Sequence, residues 1–180
     1  MQMHIVPERP GDFAAIENLM DVSFGAGRAA KTVYKLRDGV PHDMALSFVA
    51  LEEGAAESEM RGSIRYWPIL IGAARTPAIL LGPLAVDPAH KGRGFGKALM
   101  RHSLAHAKAQ GHKIVVLVGD PEYYNPFGFT REQALALALP GPVEERRFLA
   151  LALEPGALDG VSGMIQLALP PRRSVRRSAA

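Results

Sequence analysis

Apolar residues recur at two periods along the chain, and the switches between them divide it into elements. His4-Ile5-Val6 is a short strand-like run closed by Pro7, which has no amide to donate. Pro10-Gly11-Asp12 predicts a turn in which Asp12 caps a helix. The apolar face of that helix is Phe13, Ile16, Leu19, Met20 and Phe24, and it ends near Gly25 and Gly27. A second helix is predicted over roughly Arg28 to Arg37, with Val33, Tyr34 and Leu36 apolar, ended by Gly39 and Pro41. Leu46 to Glu52 reads as a strand, Glu53 to Glu59 as a hairpin turn, and Gly62 to Ile71 as the partner strand, with Pro68 marking a bulge or an edge. After a turn at Arg75-Thr76-Pro77, Ala78 to Val86 makes a third strand, so an antiparallel meander is expected.

The next stretch organises the rest. Leu81 to Met100 runs from a buried-strand pattern through the stop Asp87-Pro88 into alternating Gly92, Gly94 and Gly96, and then into a helix extending to Gln110. Phe95, Ala98, Leu99, His102, Ala105 and Ala109 are expected on one helical stripe. Lys113 to Gly119 is an almost unbroken apolar run, the mark of a strand buried on both faces. Strand, crossover helix and strand predict a parallel pair joined in the right-handed sense. Asp120 to Phe129 (DPEYYNPFGF) predicts a short helix and turn. Further strands are expected near Ala134 to Leu139, Phe148 to Leu153 and Met164 to Leu169. The order predicts an α+β fold on a mixed, mostly antiparallel sheet, not a doubly wound one.

Composition narrows the class. The chain has 180 residues, 48% hydrophobic and 22% charged, as in an ordinary globular protein. One domain over residues 1–169 is expected, followed by a basic, disordered tail at 170–180. The net charge of +3 owes much to the four arginines of that tail, so nucleic acid is not expected as the main partner. A tail-mediated attachment to nucleic acid or the ribosome is the alternative, set against a merely solvated tail. There is no cysteine, which excludes disulfides and thiolate nucleophiles and fits a reducing cytoplasm. The N-terminus lacks the basic and apolar regions of a signal peptide, and no apolar run is long enough to span a membrane. A cytoplasmic protein without a membrane partner is expected.

A strand, a glycine turn and a helix start present unpaired amides and a positive dipole end, which suit a phosphate. Three nucleotide motifs compete for this turn. A Walker A loop needs Ser or Thr after Gly-Lys to ligate magnesium, and Ala98 stands there instead. A dinucleotide fingerprint needs G-x-G-x-x-G near the first strand, whereas G-x-G-x-G follows the fourth predicted strand here. The run Lys91-Gly92-Arg93-Gly94-Phe95-Gly96 instead resembles the Q/R-x-x-G-x-G/A signature of the GNAT N-acetyltransferase superfamily. Lys91 departs from the usual Gln or Arg, keeping the positive charge and losing planar hydrogen bonding. The resemblance runs in element order from about His4 to Leu169 and is most specific over Leu81 to Phe129. FLALALEPGAL after Arg147 looks like a bacterial single-domain branch.

The resemblance implies a GNAT-like sheet with helices on both faces, splayed between the fourth and fifth strands. It implies acetyl-CoA as co-substrate, no metal, and direct attack of a primary amine on the thioester. The backbone at Leu84, Ala85 and Val86 would hold pantetheine and polarise the acetyl carbonyl, with Gly82-Pro83 supplying a bulge. Lys91, Gly92, Arg93, Gly94, Phe95, Gly96 and Lys97 would hold the diphosphate, with Arg93 or Lys97 adding charge. The family places a tyrosine four residues before the glycine of a Gly-Phe pair. Counting back from Gly128 gives Tyr124 as general acid, with Tyr123 the neighbour that could be mistaken for it.

Glu52, Glu53 and Asp120 are candidate bases, with water as the alternative. His102 is expected in the core or at its rim, and the His102/His106 pair alone does not make a metal site. Substrate choice would lie in the first two helices, the hairpin and the C-terminal strands. Lys31, Lys35 and Arg37 make the second helix basic, which suits an acidic substrate or a solvated face. Tyr66 and Trp67 either line the acceptor site or fill the sheet. The acceptor is a small molecule or a protein amine, and a homodimer is possible through the sheet edges. The rival class is a GNAT-fold sensor that binds acyl-CoA without turning it over.

Overall fold

A computed structural model describes residues 2–25, 32–54 and 58–169. The expected basic tail, the start of the second helix including Lys31, and the tip of the first hairpin lie outside the described residues. The strands are β1 (Met3–Pro7), β2 (Phe48–Glu53), β3 (Ser58–Ile71), β4 (Thr76–Val86), β5 (Ile114–Val118), β6 (Leu137–Ala138), β7 (Phe148–Ala152) and β8 (Gly163–Leu167). The α-helices are α1 (Phe13–Phe24), α2 (Thr32–Lys35), α3 (Phe95–Ala109) and α4 (Pro121–Tyr124).

The sheet runs β1-β2-β3-β4-β5-β7, with β8 added to the second half of β3 and β6 paired to β8. β1 to β4 are antiparallel neighbours, as the meander predicts. β4 and β5 are parallel across α3, and β5 and β7 are antiparallel. The fold is therefore α+β on a mixed, mostly antiparallel sheet, as expected.

Alternation along β2 explains how both faces are covered. Phe48 and Ala50 join Ile64, Tyr66 and the α3 residues Phe95, Leu99 and Met100 in one core. Val49 faces the opposite way and packs with Ile16, Leu19 and Met20 of α1 and with Ala85. A third core, formed by Trp67, Ile69, Leu80, Val116 and Phe148 with Leu36 and Val40, lies further along the sheet.

Pro68 pairs with Ile79 inside β3 and makes no bulge. On its other side, β2 pairing ends at Ile64 and β8 pairing begins at Ile69, so the proline occupies a local edge where no amide is needed.

Two expectations are corrected. The buried face of α3 is Phe95, Gly96, Leu99, Met100, Ser103, Leu104 and Ala107, while His102, Ala105 and Ala109 are exposed. The stripe turns toward Ser103 because the hydroxyl of buried Tyr66 reaches it at 2.8 Å, which makes a serine acceptable in the core. His102 instead sets its ring edge-on to Phe48 at 4.7 Å and stacks on His106. On α1, Phe13 and Phe24 are exposed at the two ends of the buried face.

Candidate active site

The site begins with a mismatch between two strands. β4 and β5 share only the register Ile79↔Val115 and Leu80↔Val116. Beyond Leu81 they part, and the β4 backbone is paired only on its β3 side, through Leu84, Ala85 and Val86. The cause lies in the register with β3, where Ile64 faces Leu84 but Tyr66 faces Leu81. Two residues on β3 thus span three on β4, and the extra residue is accommodated at Gly82-Pro83 as a β-bulge. Gly82 lies against the Trp67 ring, where a side chain would collide.

The gap opens into a cavity of about 910 Å³. Leu84 and Val86 of β4 line it, as do His90, Lys91, Gly92, Gly94, Phe95, Gly96 and Lys97 of the turn, and Tyr123 and Tyr124. Ala85 points its side chain away, into the α1 core, so only its backbone is available on this side.

The three glycines of the turn serve two purposes. Gly92 and Gly94 have φ of 80° and 94°, and nothing crowds a side chain at either, so the backbone conformation itself selects glycine. Gly96 is different, because the Tyr123 hydroxyl lies where its Cβ would be. The first amides of α3 therefore face the cavity without intrahelical partners, at the positive end of a helix of 15 residues.

Lys91 and Lys97 line the cavity. Arg93, predicted beside them, is absent from the lining and pairs with Glu52 at 2.6 Å. Glu52 also accepts from Arg61 Nε at 2.9 Å, and Arg61 reaches Asp87 at 3.6 Å. This network fastens the glycine turn to β2 and β3.

Tyr124 sits on α4, directly after β5. Its ring packs against the backbone of Gly119 and meets Tyr123 and Phe129 edge-on, with centroids 4.9 and 6.1 Å away. The Asn125 amide, turned so that its nitrogen faces the carbonyls of Phe129 and Pro121, closes the turn that follows. Burial first, then neighbouring Tyr123 and Asp120, push the Tyr124 hydroxyl well above the ordinary tyrosine value. The group is thus a proton-bearing donor throughout the neutral range. Among the described residues its hydroxyl makes no side-chain hydrogen bond, so it remains available to the cavity. Tyr123 and Tyr124 are separated by position: one hydroxyl is at the α3 start, the other ring at the end of β5.

Residues 5–131 match the family described as the Acetyltransferase (GNAT) domain. The chain belongs to the GNAT acetyltransferase family. It is 31% identical over 165 residues to the uncharacterised N-acetyltransferase YhbS of Escherichia coli (strain K12), covering 91% of this chain and 95% of that protein. A crystal structure of Escherichia coli YhbS in complex with CoA matches with a TM-score of 0.78 at 30% identity, over 93% of this chain and 90% of that one. A GNAT acetyltransferase from Brucella melitensis in complex with acetyl-CoA matches with a TM-score of 0.62 at 33% identity, over 86% and 90%. The protein is an N-acetyltransferase, and the GNAT fold expected from the sequence is the fold observed.

The three candidate bases of this acetyltransferase part company. Glu52 is held below the usual carboxylate range by its hydrogen bond from Arg61, with Arg93 assisting, and does not line the cavity. Glu53 bonds to His4 at 3.0 Å, also away from the cavity. Asp120 does line it and accepts from Arg147 Nε at 3.1 Å.

Sequence reasoning missed His90, Glu144 and Arg147, all in the cavity wall. His90 was legible only as part of the stop after Asp87, to which its Nδ1 bonds at 2.7 Å. Arg147 ends the turn just before β7, which only the fold brings beside Asp120. Among the described residues no cluster of three or more His, Asp or Glu is arranged to hold a metal, and no helix is long and apolar enough to cross a membrane.

Proposed function

We propose that the protein transfers the acetyl group of acetyl-CoA to a primary amine by direct attack on the thioester, in the cytoplasm. The observation that carries this reading is the separation of β4 from β5 beyond Leu81, which opens between the glycine turn and Tyr124. Pantetheine adds along the free side of β4, taking hydrogen bonds from the backbone at Leu84 to Val86 as a strand would. The diphosphate lies at the amides of Gly92 to Lys97, with Lys91 and Lys97 supplying charge and Arg93 holding the turn through Glu52. The open space beside Gly92 and Gly94 fits a phosphate close to the backbone.

The amine must first lose its ammonium proton, to Asp120 or to water. Its nitrogen then bonds to the carbonyl carbon, and the backbone at Leu84 to Val86 steadies the charge that grows on the carbonyl oxygen. As the carbon–sulfur bond breaks, the electron pair goes to sulfur, and Tyr124 gives it a proton. A free thiol pKa of about 8.5 is well below that of the Tyr124 hydroxyl, so the phenol acts by hydrogen bond and concerted proton transfer and is reprotonated from solvent.

Thiol release from acetyl-CoA with a panel of amines tests the reading. Stoichiometric N-acetylated product and free thiol are expected. Binding of acetyl-CoA with no thiol release for any amine would make the protein a sensor instead.

A further inference from the structure

One wall of the cavity carries a cation that no carboxylate pairs with among the described residues. Arg37 lines both the main cavity and a smaller one of about 250 Å³ that touches none of the glycine turn. Its guanidinium lies over two rings, 4.2 Å from the centroid of Tyr34 and 4.4 Å from that of Trp67. Its Nε is buried with no hydrogen-bond partner, and no carboxylate pairs with it among the described residues.

The acids nearby are already engaged. Arg65, in the wall of the smaller cavity, takes Glu8 at 2.7 Å and Glu17 at 3.2 Å. Burial lowers the Arg37 pKa to about 10, partly offset by Tyr34, so the group stays charged at neutral pH in a setting that disfavours charge. Cation–π attraction and a side-chain hydrogen bond with Tyr34 compensate in part, but Nε is left without a partner. The planar fork of a guanidinium suits a ligand that offers paired oxygens.

We propose that Arg37 is the specificity-determining residue for the acceptor, selecting an amine that also carries an oxyanion, either a carboxylate or a phosphate. The proposal rests on the acetyltransferase reading above and adds the acceptor's chemical class to it. The anion completes the ion pair that the fold leaves open, and the amine is thereby held toward Pro83 and Leu84, where the same cavity wall continues onto β4.

The test follows thiol release from acetyl-CoA with α- and ω-amino acids, with aminoalkyl phosphates, and with the same amines lacking the anion. The expected result is a kcat/KM at least about tenfold higher for an anion-bearing amine, with the carboxylate and phosphate arms showing which oxyanion is preferred. Arg37→Gln removes that preference by raising the KM of the anionic amine at least about tenfold relative to that of the neutral amines. Arg37→Lys restores part of it. Equal kcat/KM for anionic and neutral amines in the wild type, or a preference that survives in Arg37→Gln, overturns the proposal. The wild-type comparison decides even where the variant fails to fold. Acetyl-CoA binding without thiol release for any amine would overturn the acetyltransferase reading itself, and this inference with it.

Discussion

The ring of Tyr124 packs so closely on Gly119 that no side chain fits between them. The glycine that follows β5 thus sets the position of the proposed proton donor. Gly119 has an ordinary backbone, so its identity is dictated by this contact alone.

Gly119→Ala is therefore expected to displace the Tyr124 ring. Overpacking of this kind costs about 1–3 kcal/mol of stability, and the larger effect falls on kcat, by about tenfold or more, because a donor out of place loses its advantage. Steady-state kinetics with acetyl-CoA varied check this, and the KM for acetyl-CoA is expected to stay near the wild-type value.

The glycine turn gives the opposite signature. Gly94→Ala meets no neighbour within 4 Å, so its cost is the backbone strain of a side chain at φ 94°, about 1–2 kcal/mol. Relief of that strain moves the amides at the start of α3. The KM for acetyl-CoA is expected to rise while kcat holds, measured by the same assay.

Much of this division was legible in the sequence, and the reasons are local. The pattern from Leu81 through Gly96 into α3 combines a strand period, a proline stop and a helix period within twenty residues, so each element constrains the next. Tyr124 could be counted back from Gly128 because the family resemblance supplies that spacing. What escaped depended on partners far along the chain. Ser103 belongs in the core only because of Tyr66, 37 residues away, and Arg93 turns from the cavity because Glu52 lies 41 residues before it. The meaning of Arg37 waited on Trp67, which the folded sheet brings over its guanidinium.

Glu8 illustrates the same dependence and carries a pH prediction. Its carboxylate is buried between Arg65 and His42, at 2.7 and 3.2 Å. Burial alone would raise its pKa, but the hydrogen bonds from His42 and Arg65 outweigh that and lower it to about 2 from an ordinary 4.5. A folded pKa below the unfolded one stabilises the protein above the unfolded value, and that stability is lost as pH falls from about 4.5 toward 2. Glu8→Gln leaves Arg65 short of its main partner and is expected to cost about 3 kcal/mol at neutral pH. Urea denaturation at several pH values checks both points, since the variant should show a shallower decline in acid than the wild type.

The central claim is that Tyr124 donates the proton that lets the thiolate leave. The direct measurement is the single-turnover rate of thiol release by Tyr124→Phe, with acetyl-CoA affinity determined in parallel. A fall of about a hundredfold or more is expected, with affinity unchanged within about twofold. A Tyr124→Phe enzyme that binds acetyl-CoA normally and releases thiol at the wild-type rate would contradict it.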